Sequence, residues 1–448
     1  MDQKKNKKIY IETYGCQMNF SDSEIVASVL TKYGYVAAQS IQEADIIFVN
    51  TCSIRDHAEQ RVKKRLHHFR SYKKRNPELI IGLLGCMAER IKTVLLEEEP
   101  LLDVVAGPDA YRDLPRLLEQ VESGQRGVNT LLSMEETYAD ITPVRLGSNG
   151  VSAFISIMRG CENYCSYCVV PTTRGQERSR DAGSILSEAT DLLKQGLHEV
   201  TLLGQNVNSY RWVDGGKDLS FAALLLQVAE LDPRLRIRFA TSHPKDISDE
   251  LLNTIAANPN ICRAIHLPVQ SGSSRILDRM NRKYTREGYM ERVEAIRRII
   301  PGCAISTDII TGFCDETEED HLETLSLMEW ARFDYAFLFK YSERPMTLAA
   351  DTMHDNVPEE VKDRRLTEVI NLQQRLSYAS NKRDLNRVFE VLIEGDSKRS
   401  ADHFMGRTSQ NKVVVFPKAG IDTGTKPGHC VQVRITSFTS ATLLGEVV

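Results

Sequence analysis

Apolar runs alternate with amphipathic stretches through the first third of the chain. The runs KIYIETYGC, ADIIFVNTC and LIIGLLGC look like buried strands, whereas SDSEIVASVLTKYG and IRDHAEQRVKKRLHHFRSYKKR follow a helical period. Strands that alternate with helices form a parallel sheet that those helices cover. We therefore predict an N-terminal α/β parallel-sheet domain over residues 1–147, ending in the linker-like stretch ITPVRLGSNGVS.

The same alternation repeats over residues 148–380. Six strand-like runs, SAFISIM, HEVTLLGQN, RIRFATS, AIHLPVQ, CAISTDIITGF and YAFLFKYS, are separated by amphipathic helices. They predict a partial (β/α)6 barrel, with a doubly wound sheet as the alternative. Residues 381–448 change to short alternating strands with glycine and proline turns, such as RVFEVLIEG and NKVVVFP. This change predicts a small all-β, OB-like barrel.

The composition is that of an ordinary globular protein. The chain has 448 residues, a formal net charge of −4 and ten cysteines. One hydrophobic core rarely exceeds about 300 residues, which agrees with several domains. The N-terminus lacks the apolar run of a secretory signal, and no stretch approaches the about 18 apolar residues of a membrane span. We expect a cytoplasmic protein without membrane contact, whose cysteines serve metal binding or catalysis rather than disulfides.

Three cysteines, Cys161, Cys165 and Cys168, lie together in the segment RGCENYCSYCVVP. Structural zinc sites usually add a distant second pair of ligands and close at four, and no convincing second pair follows here. Three thiolates from one loop suit a cubane iron–sulfur cluster, in which one iron stays open to a small chelating ligand.

A second set of cysteines, Cys16, Cys52 and Cys86, ends three predicted strands just before helices. Because the carboxyl ends of parallel strands share one edge of a sheet, we expect these residues to meet. Glycines precede two of them, which lets a bulky inorganic group approach the backbone. The alternative is that each is a buried, inert thiol. The remaining cysteines are solitary and are expected to be structural, with Cys314 the nearest to the predicted catalytic edge: Cys262, Cys303, Cys314 and Cys430.

The segment CENYCSYC, with the aromatic Tyr167 before its third cysteine, resembles the radical SAM motif. The resemblance implies that the loop cysteines hold a [4Fe–4S] cluster and that S-adenosylmethionine (SAM) chelates its open iron. It also implies cleavage of SAM to a 5′-deoxyadenosyl radical. Over its whole length the chain resembles the methylthiotransferases, with an RNA-binding TRAM module as its tail. That resemblance implies a second [4Fe–4S] cluster on Cys16, Cys52 and Cys86, which carries the sulfur for the product.

Within that family, the strings TYGCQMN, NTCSIRDHAEQR, LLGQNVNSY and LPVQSGS resemble the MiaB-type branch. This branch converts N6-isopentenyladenosine at tRNA position 37 to its 2-methylthio derivative. The implied partners are a tRNA anticodon stem-loop carrying isopentenyladenosine and a reducing electron donor, and we expect a monomer. Two segments depart from the family pattern. FCDET stands where Phe-Pro-Gly-Glu-Thr is frequent, and RPMTLAA where Arg-Pro-Gly-Thr-x-Ala is usual. They affect loop geometry at the mouth of the barrel and no cluster ligand.

Candidates for SAM contacts are the polar and glycine positions at the predicted strand ends, together with Tyr167. They are Gly204, Gln205, Asn206, Ser242, His243, Gln270 and Asp308. The alternative for each is packing or helix capping at the mouth of the barrel.

Candidates for RNA contact combine cations with aromatic rings, which suits single-stranded RNA. They are Arg174, Arg178, Phe404, Arg407, Lys412 and Phe416. For the two arginines a solvated loop is the alternative. Residues 55–75 add nine Lys/Arg against two Asp/Glu, which predicts a phosphate-binding helix or a solvated basic face.

Other functions also fit parts of the pattern. RimO-like enzymes apply the same chemistry to an aspartate of a ribosomal protein, and MtaB-like enzymes apply it to threonylcarbamoyl-adenosine in tRNA. A non-enzymatic iron–sulfur or zinc RNA-binding protein would explain the cysteines and the tail. It would not explain a middle domain of barrel length.

Overall fold

The amino-terminal unit is built on a parallel sheet. The computed structural model describes residues 7–52, 56–91, 99–147, 149–422 and 424–448. The sheet has the order β2-β1-β3-β4-β5-β6, and all of its pairings are parallel. Its strands are β1 (Lys8–Tyr14), β2 (Val36–Ala37), β3 (Ile46–Thr51), β4 (Ile80–Leu84), β5 (Val104–Ala106) and β6 (Gly127–Asn129). Its helices are α1 (Gln17–Lys32), α2 (Asp56–Arg75), α3 (Cys86–Ile91) and α4 (Leu114–Glu122).

Helices cover both faces of this sheet, as its sequence predicts. Strands β3 and β4 are buried along their whole length. Ile46 and Phe48 pack on the side of α1 and α4, whereas Ile47 and Val49 pack on the side of α2 and α3. Because successive residues of a strand point to opposite faces, a strand covered on both faces needs a continuous apolar run.

The middle of the chain forms a partial β/α barrel. Its parallel strands are β7 (Ser152–Ser156), β10 (Glu199–Leu203), β13 (Arg236–Ala240), β14 (Ala264–His266), β15 (Ala304–Thr311) and β16 (Tyr335–Lys340). They form two three-stranded sheets, joined by a bridge between Ile237 and Ile261. The strands follow one another in chain order, without the reversal that defines a doubly wound sheet. The barrel prediction is therefore confirmed.

The connections of this domain are helices and short ribbons. The helices are α5 (Val170–Arg174), α6 (Ala182–Lys194), α7 (Phe221–Leu231), α8 (Asp249–Ala257), α9 (Ser274–Arg279), α10 (Arg286–Ile299), α11 (Glu318–Ala331), α12 (Leu348–Thr352) and α13 (Glu359–Lys382). The ribbons pair β8 (Met158–Arg159) with β9 (Arg178–Ser179), and β11 (Arg211–Asp214) with β12 (Lys217–Ser220). No helix in the described ranges is both long and apolar enough to cross a membrane.

The tail is a closed five-stranded barrel, as predicted. Its strand order is β17-β18-β19-β21-β20. The strands are β17 (Val388–Ser397), β18 (Ser400–Thr408), β19 (Val413–Pro417), β20 (Cys430–Phe438) and β21 (Leu443–Val447). The predicted boundary at 380/381 falls inside α13. Residue 148, at the other boundary, lies outside the described residues. The domain boundaries themselves stay predictions.

Two arginines of the central barrel hold the tail against the amino-terminal ends of the barrel strands. Arg238 donates a hydrogen bond of 2.9 Å to the carbonyl of Thr408 and pairs with Glu199 at 2.8 Å. Arg236 donates to the carbonyl of Arg407 at 3.1 Å. Buried charged donors of this kind fix the orientation of the two domains, because sliding would leave them without partners.

Replacing Arg238 with alanine is expected to loosen this docking. The change removes hydrogen bonds to the tail and takes one cationic partner from the Glu199 carboxylate. We expect the free energy of unfolding to fall by about 1–3 kcal/mol. Denaturant unfolding would measure the loss, and hydrogen exchange in β18 would locate it. The control is Arg234→Ala, since Arg234 is exposed and pairs with its neighbour Asp232. Equal stability of the two variants would contradict the docking role.

Candidate active site

The three strand-end cysteines of the first domain meet at one edge of the sheet, as predicted. Cys16 follows β1, Cys52 follows β3, and Cys86 begins α3 directly after β4. The thiols of Cys16 and Cys52 are joined by a hydrogen bond. A Cβ added at Gly15 would lie 2.5 Å from the Cβ of Cys52. Gly15 therefore makes room for the neighbouring strand, whereas we expected it to make room for an inorganic group.

In the first trio, which is Cys16, Cys52 and Cys86, the surroundings favour a thiolate at Cys16. The hydrogen bond from Cys52 lowers the pKa of Cys16 to about 6 against the opposing effect of burial, and Arg174 lowers it further. Burial raises the pKa of Cys86, and Arg174 opposes that rise. Because the thiolate is the form that binds metal, a guanidinium beside these sulfurs favours a metal site.

The second trio, Cys161, Cys165 and Cys168, lies on the loop between β8 and α5. The loop turns tightly, since the backbone N–H of Cys168 donates to the carbonyl of Cys165 at 2.9 Å. Burial raises the pKa of Cys161 to about 11 and that of Cys168 to about 12.

Three donors approach the sulfurs of this loop. Arg282 donates to Sγ of Cys165 at 3.2 Å. The side chain of Asn163 donates to Cys161, and the backbone N–H of Val170 donates to Cys168, both at 3.5 Å. Hydrogen bonds to the sulfurs of an iron–sulfur cluster change its reduction potential.

Each trio supplies three thiolates, the number that a cubane cluster with one open iron takes. Within the described ranges, no three His, Cys, Asp or Glu side chains are close enough to share one ion. A cubane needs a wider set of sulfurs, because each thiolate binds a different iron. A cubane on either set of three thiolates would leave one iron open.

Arg282 is a site residue that the sequence pattern did not reveal. Its side chain is buried, donates to the carbonyl of Pro268 at 2.8 Å and reaches the hydroxyl of Tyr167 at 3.4 Å. Tyr167 packs edge-on against Phe313. Arg282 thus ties the cluster loop to the barrel. No local motif marks it, because its partners in the cluster loop, Cys165 and Tyr167, lie more than a hundred residues away along the chain.

Four of the predicted SAM contacts carry buried polar atoms without a hydrogen-bond partner among the described residues. They are Gln205, Ser242, His243 and Gln270. Burial, reinforced by Arg282, lowers the pKa of His243 to about 2, so its ring is neutral. Buried polar groups without a protein partner are costly and are typical of ligand sites. This observation fits a bound polar ligand such as SAM.

The other predicted SAM contacts have structural partners. The amide of Asn206 donates to Asp246 at 2.7 Å and accepts from the backbone of His243 at 3.1 Å. A Cβ at Gly204 would meet Met158 at 2.4 Å, so glycine is needed there for packing. Asp308 lies 3.3 Å from Nε2 of His266. These roles correspond to the packing and capping alternative.

The prediction of RNA contact is wrong for the residues that are buried. Phe404 and Phe416 face the interior of the tail barrel and are 8% and 0% exposed, so no base can stack on them. Arg174 is ion-paired with Asp22 at 2.8 Å, and Arg178 with Asp109 at 2.9 Å, all of them buried.

The remaining predicted RNA contacts lie at or near the surface. Arg407 is bound to Glu394 at 3.1 Å and stays partly exposed. Lys412 is bound to Asp384 at 2.6 Å, at the docking surface of the tail. On α2, exposed cations follow one another, and phosphate binding there stays a prediction: Arg61, Lys63, Lys64, Lys74 and Arg75.

A cavity of about 630 Å³ opens where the three domains meet. Gln17, next to Cys16, lines it together with Phe154 and Phe337 of the barrel and Lys412 of the tail. Phe337 is 47% exposed.

A further cluster of side chains lies beside this cavity. The ring of His266 contacts that of Phe337, with the ring centroids 5.8 Å apart. Nδ1 of His266 shares a hydrogen bond of 3.0 Å with the hydroxyl of Ser306. His266 was missed in the sequence, although a histidine inside an apolar strand run is a signal.

Comparison with known families assigns each of the three domains. Residues 8–107 match the uncharacterized protein family UPF0004, residues 155–328 the radical SAM superfamily, and residues 382–448 the TRAM domain. A solved structure of the radical S-adenosylmethionine methyltransferase TsrM from Kitasatospora setae is similar, with a TM-score of 0.57. The likeness covers 77% of this chain and 75% of that one at 14% identity, and therefore concerns the fold alone. The fold and site thus define a three-domain radical SAM enzyme.

Two curated relatives show to which family of radical SAM enzymes the chain belongs. A protein from Amoebophilus asiaticus is 57% identical over 98% of this chain and 92% of its own length. Another, from Bacteroides fragilis, is 58% identical over 99% of this chain and 96% of its own length. Both are named tRNA-2-methylthio-N(6)-dimethylallyladenosine synthase. The chain belongs to the family of these enzymes, the radical SAM tRNA methylthiotransferases.

Alanine at Cys161 is expected to halve the iron content of the reconstituted protein. Two cubane sites hold about eight irons, and losing one of three ligands at the second trio would leave about four. Iron and sulfide analysis of anaerobically reconstituted protein measures this. The control is Cys303→Ala, which removes a half-buried thiol outside both trios. If Cys161→Ala still holds about eight irons, the assignment of the second trio is wrong.

Proposed function

We propose that this chain converts N6-isopentenyladenosine at position 37 of tRNA to its 2-methylthio derivative. One SAM molecule would be the methyl donor, and a second the source of the 5′-deoxyadenosyl radical. The sulfur would be delivered at an auxiliary [4Fe–4S] cluster held by Cys16, Cys52 and Cys86. We further propose that the chain acts as a monomer in the cytoplasm and takes electrons from a separate reducing donor.

The observation that carries this proposal is the presence of two complete cysteine trios on two docked domains. A radical SAM enzyme needs only one trio, Cys161, Cys165 and Cys168, for its cluster. The first trio, in which the pKa of Cys16 is lowered, provides sulfur ligands for another cluster. The names of the relatives, which match over nearly the whole chain, agree with this reading.

The chain's own residues bind and orient the reactants. Bound at these sites, the two clusters and SAM would supply the radical, the methyl group and the sulfur. The buried polar atoms of Gln205, Ser242 and Gln270 provide hydrogen bonds for the polar groups of SAM. Tyr167 and Arg282 hold the cluster loop against the barrel.

The cavity at the junction of the domains suits the target base. Phe337 offers an exposed ring face on an edge strand of the barrel, and Gln17 places the same cavity next to Cys16. An anticodon loop is single-stranded, so its bases can enter such a cavity without melting a duplex. The exposed cations of α2 provide a surface for the phosphates of the stem.

The experiment that tests this function compares substrates. Reconstituted protein, SAM and dithionite are incubated with tRNA that carries isopentenyladenosine, and nucleosides are analysed by mass spectrometry. We expect 5′-deoxyadenosine and the 2-methylthio nucleoside together. Turnover only on threonylcarbamoyl-adenosine tRNA or a ribosomal protein would favour the rival substrates. Absence of 5′-deoxyadenosine in every reaction would favour a non-enzymatic binding protein.

Replacing Phe337 with alanine is expected to raise the KM for isopentenylated tRNA. Stacking of a base on an aromatic ring contributes about 1–3 kcal/mol, which corresponds to about 5- to 150-fold in KM. Steady-state kinetics with Phe337→Leu and Phe337→Ala would separate ring stacking from simple apolar contact. The control is Tyr33→Ala, an aromatic residue that is 61% exposed on the first domain. An unchanged KM in Phe337→Ala would exclude stacking at this position.

A further inference from the structure

One arginine of the central domain reaches the first cysteine trio from across the domain interface. Arg174 is the last residue of α5 and follows Cys168 by six positions. Helix α5 packs against α3, whose first residue is Cys86. The chain that leaves the cluster loop therefore brings a guanidinium to the cysteines of the other domain.

The contacts of Arg174 leave part of its guanidinium free to bind a ligand. Its Nη2 donates to Asp22 at 2.8 Å, which fixes the plane of the side chain. Its Nη1 is buried and has no hydrogen-bond partner among the described protein atoms. The thiols of Cys86 and Cys16 are among the electrostatic neighbours of this guanidinium. An arginine can hold one partner with one nitrogen and direct another at a second group, because the fork is planar and rigid.

The charges around Arg174 also point to an anion. Three arginines, Arg159, Arg174 and Arg178, share two carboxylates, those of Asp22 and Asp109. All five side chains are at most 5% exposed. Among these five side chains the positive charges exceed the negative ones by one. A buried charge needs a counter-charge, and the sulfurs of the first trio are the groups that Arg174 faces.

We propose that Arg174 is a positioning residue of the auxiliary site. Its Nη1 donates to the sulfur side of the iron–sulfur group held by Cys16, Cys52 and Cys86, and its charge favours an anionic sulfur ligand there. The inference rests on the proposed function, because it needs the second cluster. A cation and a donor beside a cluster stabilise its reduced, more negative state and thereby raise its reduction potential.

The test isolates the auxiliary site. The parent variant carries alanine at Cys161, Cys165 and Cys168, so that only the first trio can load iron. Arg174→Gln and Arg174→Lys are made in this background. The matched control is Arg178→Gln, since Arg178 is an equally buried, ion-paired arginine whose contacts are with Asp109, Ser133 and Arg174 rather than the cysteines. Reduction potentials come from titrations followed by electron paramagnetic resonance, and hydrosulfide binding is followed by the same spectrum.

We expect Arg174→Gln to shift the potential to more negative values and to weaken hydrosulfide binding by about tenfold or more. Arg174→Lys keeps the charge but loses the directed donor, so it should shift the potential in the same direction by less. Arg178→Gln should change both quantities less than Arg174→Gln does, because the contacts of Arg178 are with Asp109, Ser133 and the carbonyl of Arg174.

Parent values in both Arg174 variants would overturn the proposal, and so would equal shifts in Arg174→Gln and Arg178→Gln. If Arg174→Gln does not fold, the shift in reduction potential of Arg174→Lys relative to the parent variant tests the proposal. A parent variant that holds no iron at all would instead overturn the proposed second cluster, and this inference with it.

Discussion

The buried ion pairs between the first two domains are the interaction on which the geometry of the site depends. Asp22 on α1 accepts hydrogen bonds from Arg159 at 2.9 Å and from Arg174 at 2.8 Å. Charges at this depth are costly to desolvate, and removing one partner of a buried pair costs about 3–5 kcal/mol. An apolar interface tolerates small displacements, whereas these pairs are satisfied in one arrangement only. The network therefore holds the two domains in a single relative position.

The relative position of the two domains matters because arginines of this network lie on either side of the cluster loop. Arg159 precedes Cys161 by two residues, and Arg174 follows Cys168 by six. Both arginines bind Asp22, which lies one and a half helical turns after Cys16 on the helix that begins beside it. Both ends of the cluster loop are therefore ion-paired to α1, the helix that begins directly after Cys16. The carboxylate of Asp22 therefore links the cluster loop to the helix that begins beside Cys16.

The convergence of Cys16, Cys52 and Cys86 could be predicted, because parallel strands bring their carboxyl ends to one edge whatever the rest of the chain does. The fate of Arg174 and Arg178 could not. Their partners lie 152 and 69 residues away along the chain, and a local run of arginines looks the same whether it is solvated or buried.

Phe404 and Phe416 were misassigned for a different reason. They are direct partners across β18 and β19, and a two-residue period marks which residues share a face without marking which face is inside. The alternation of Phe404 with the polar His403 and the charged Arg407 on the other face was the available signal. In a small barrel the aromatic face is needed to fill the interior, so it is unavailable to bases.

The burial of these rings changes what the TRAM domain contributes to the site. The ammonium group of Lys412 donates to Asp384 at 2.6 Å and to the hydroxyl of Ser380 at 2.8 Å. Ser380 lies in the last turn of α13, and Asp384 lies just after that helix. The side chain of Lys412 also lines the cavity shared with Gln17 and Phe337. The tail therefore forms one wall of that cavity through the residues that dock it. A base bound in this cavity would contact all three domains. The affinity of the protein for tRNA would therefore depend on how the domains dock, as well as on any surface that binds the phosphates.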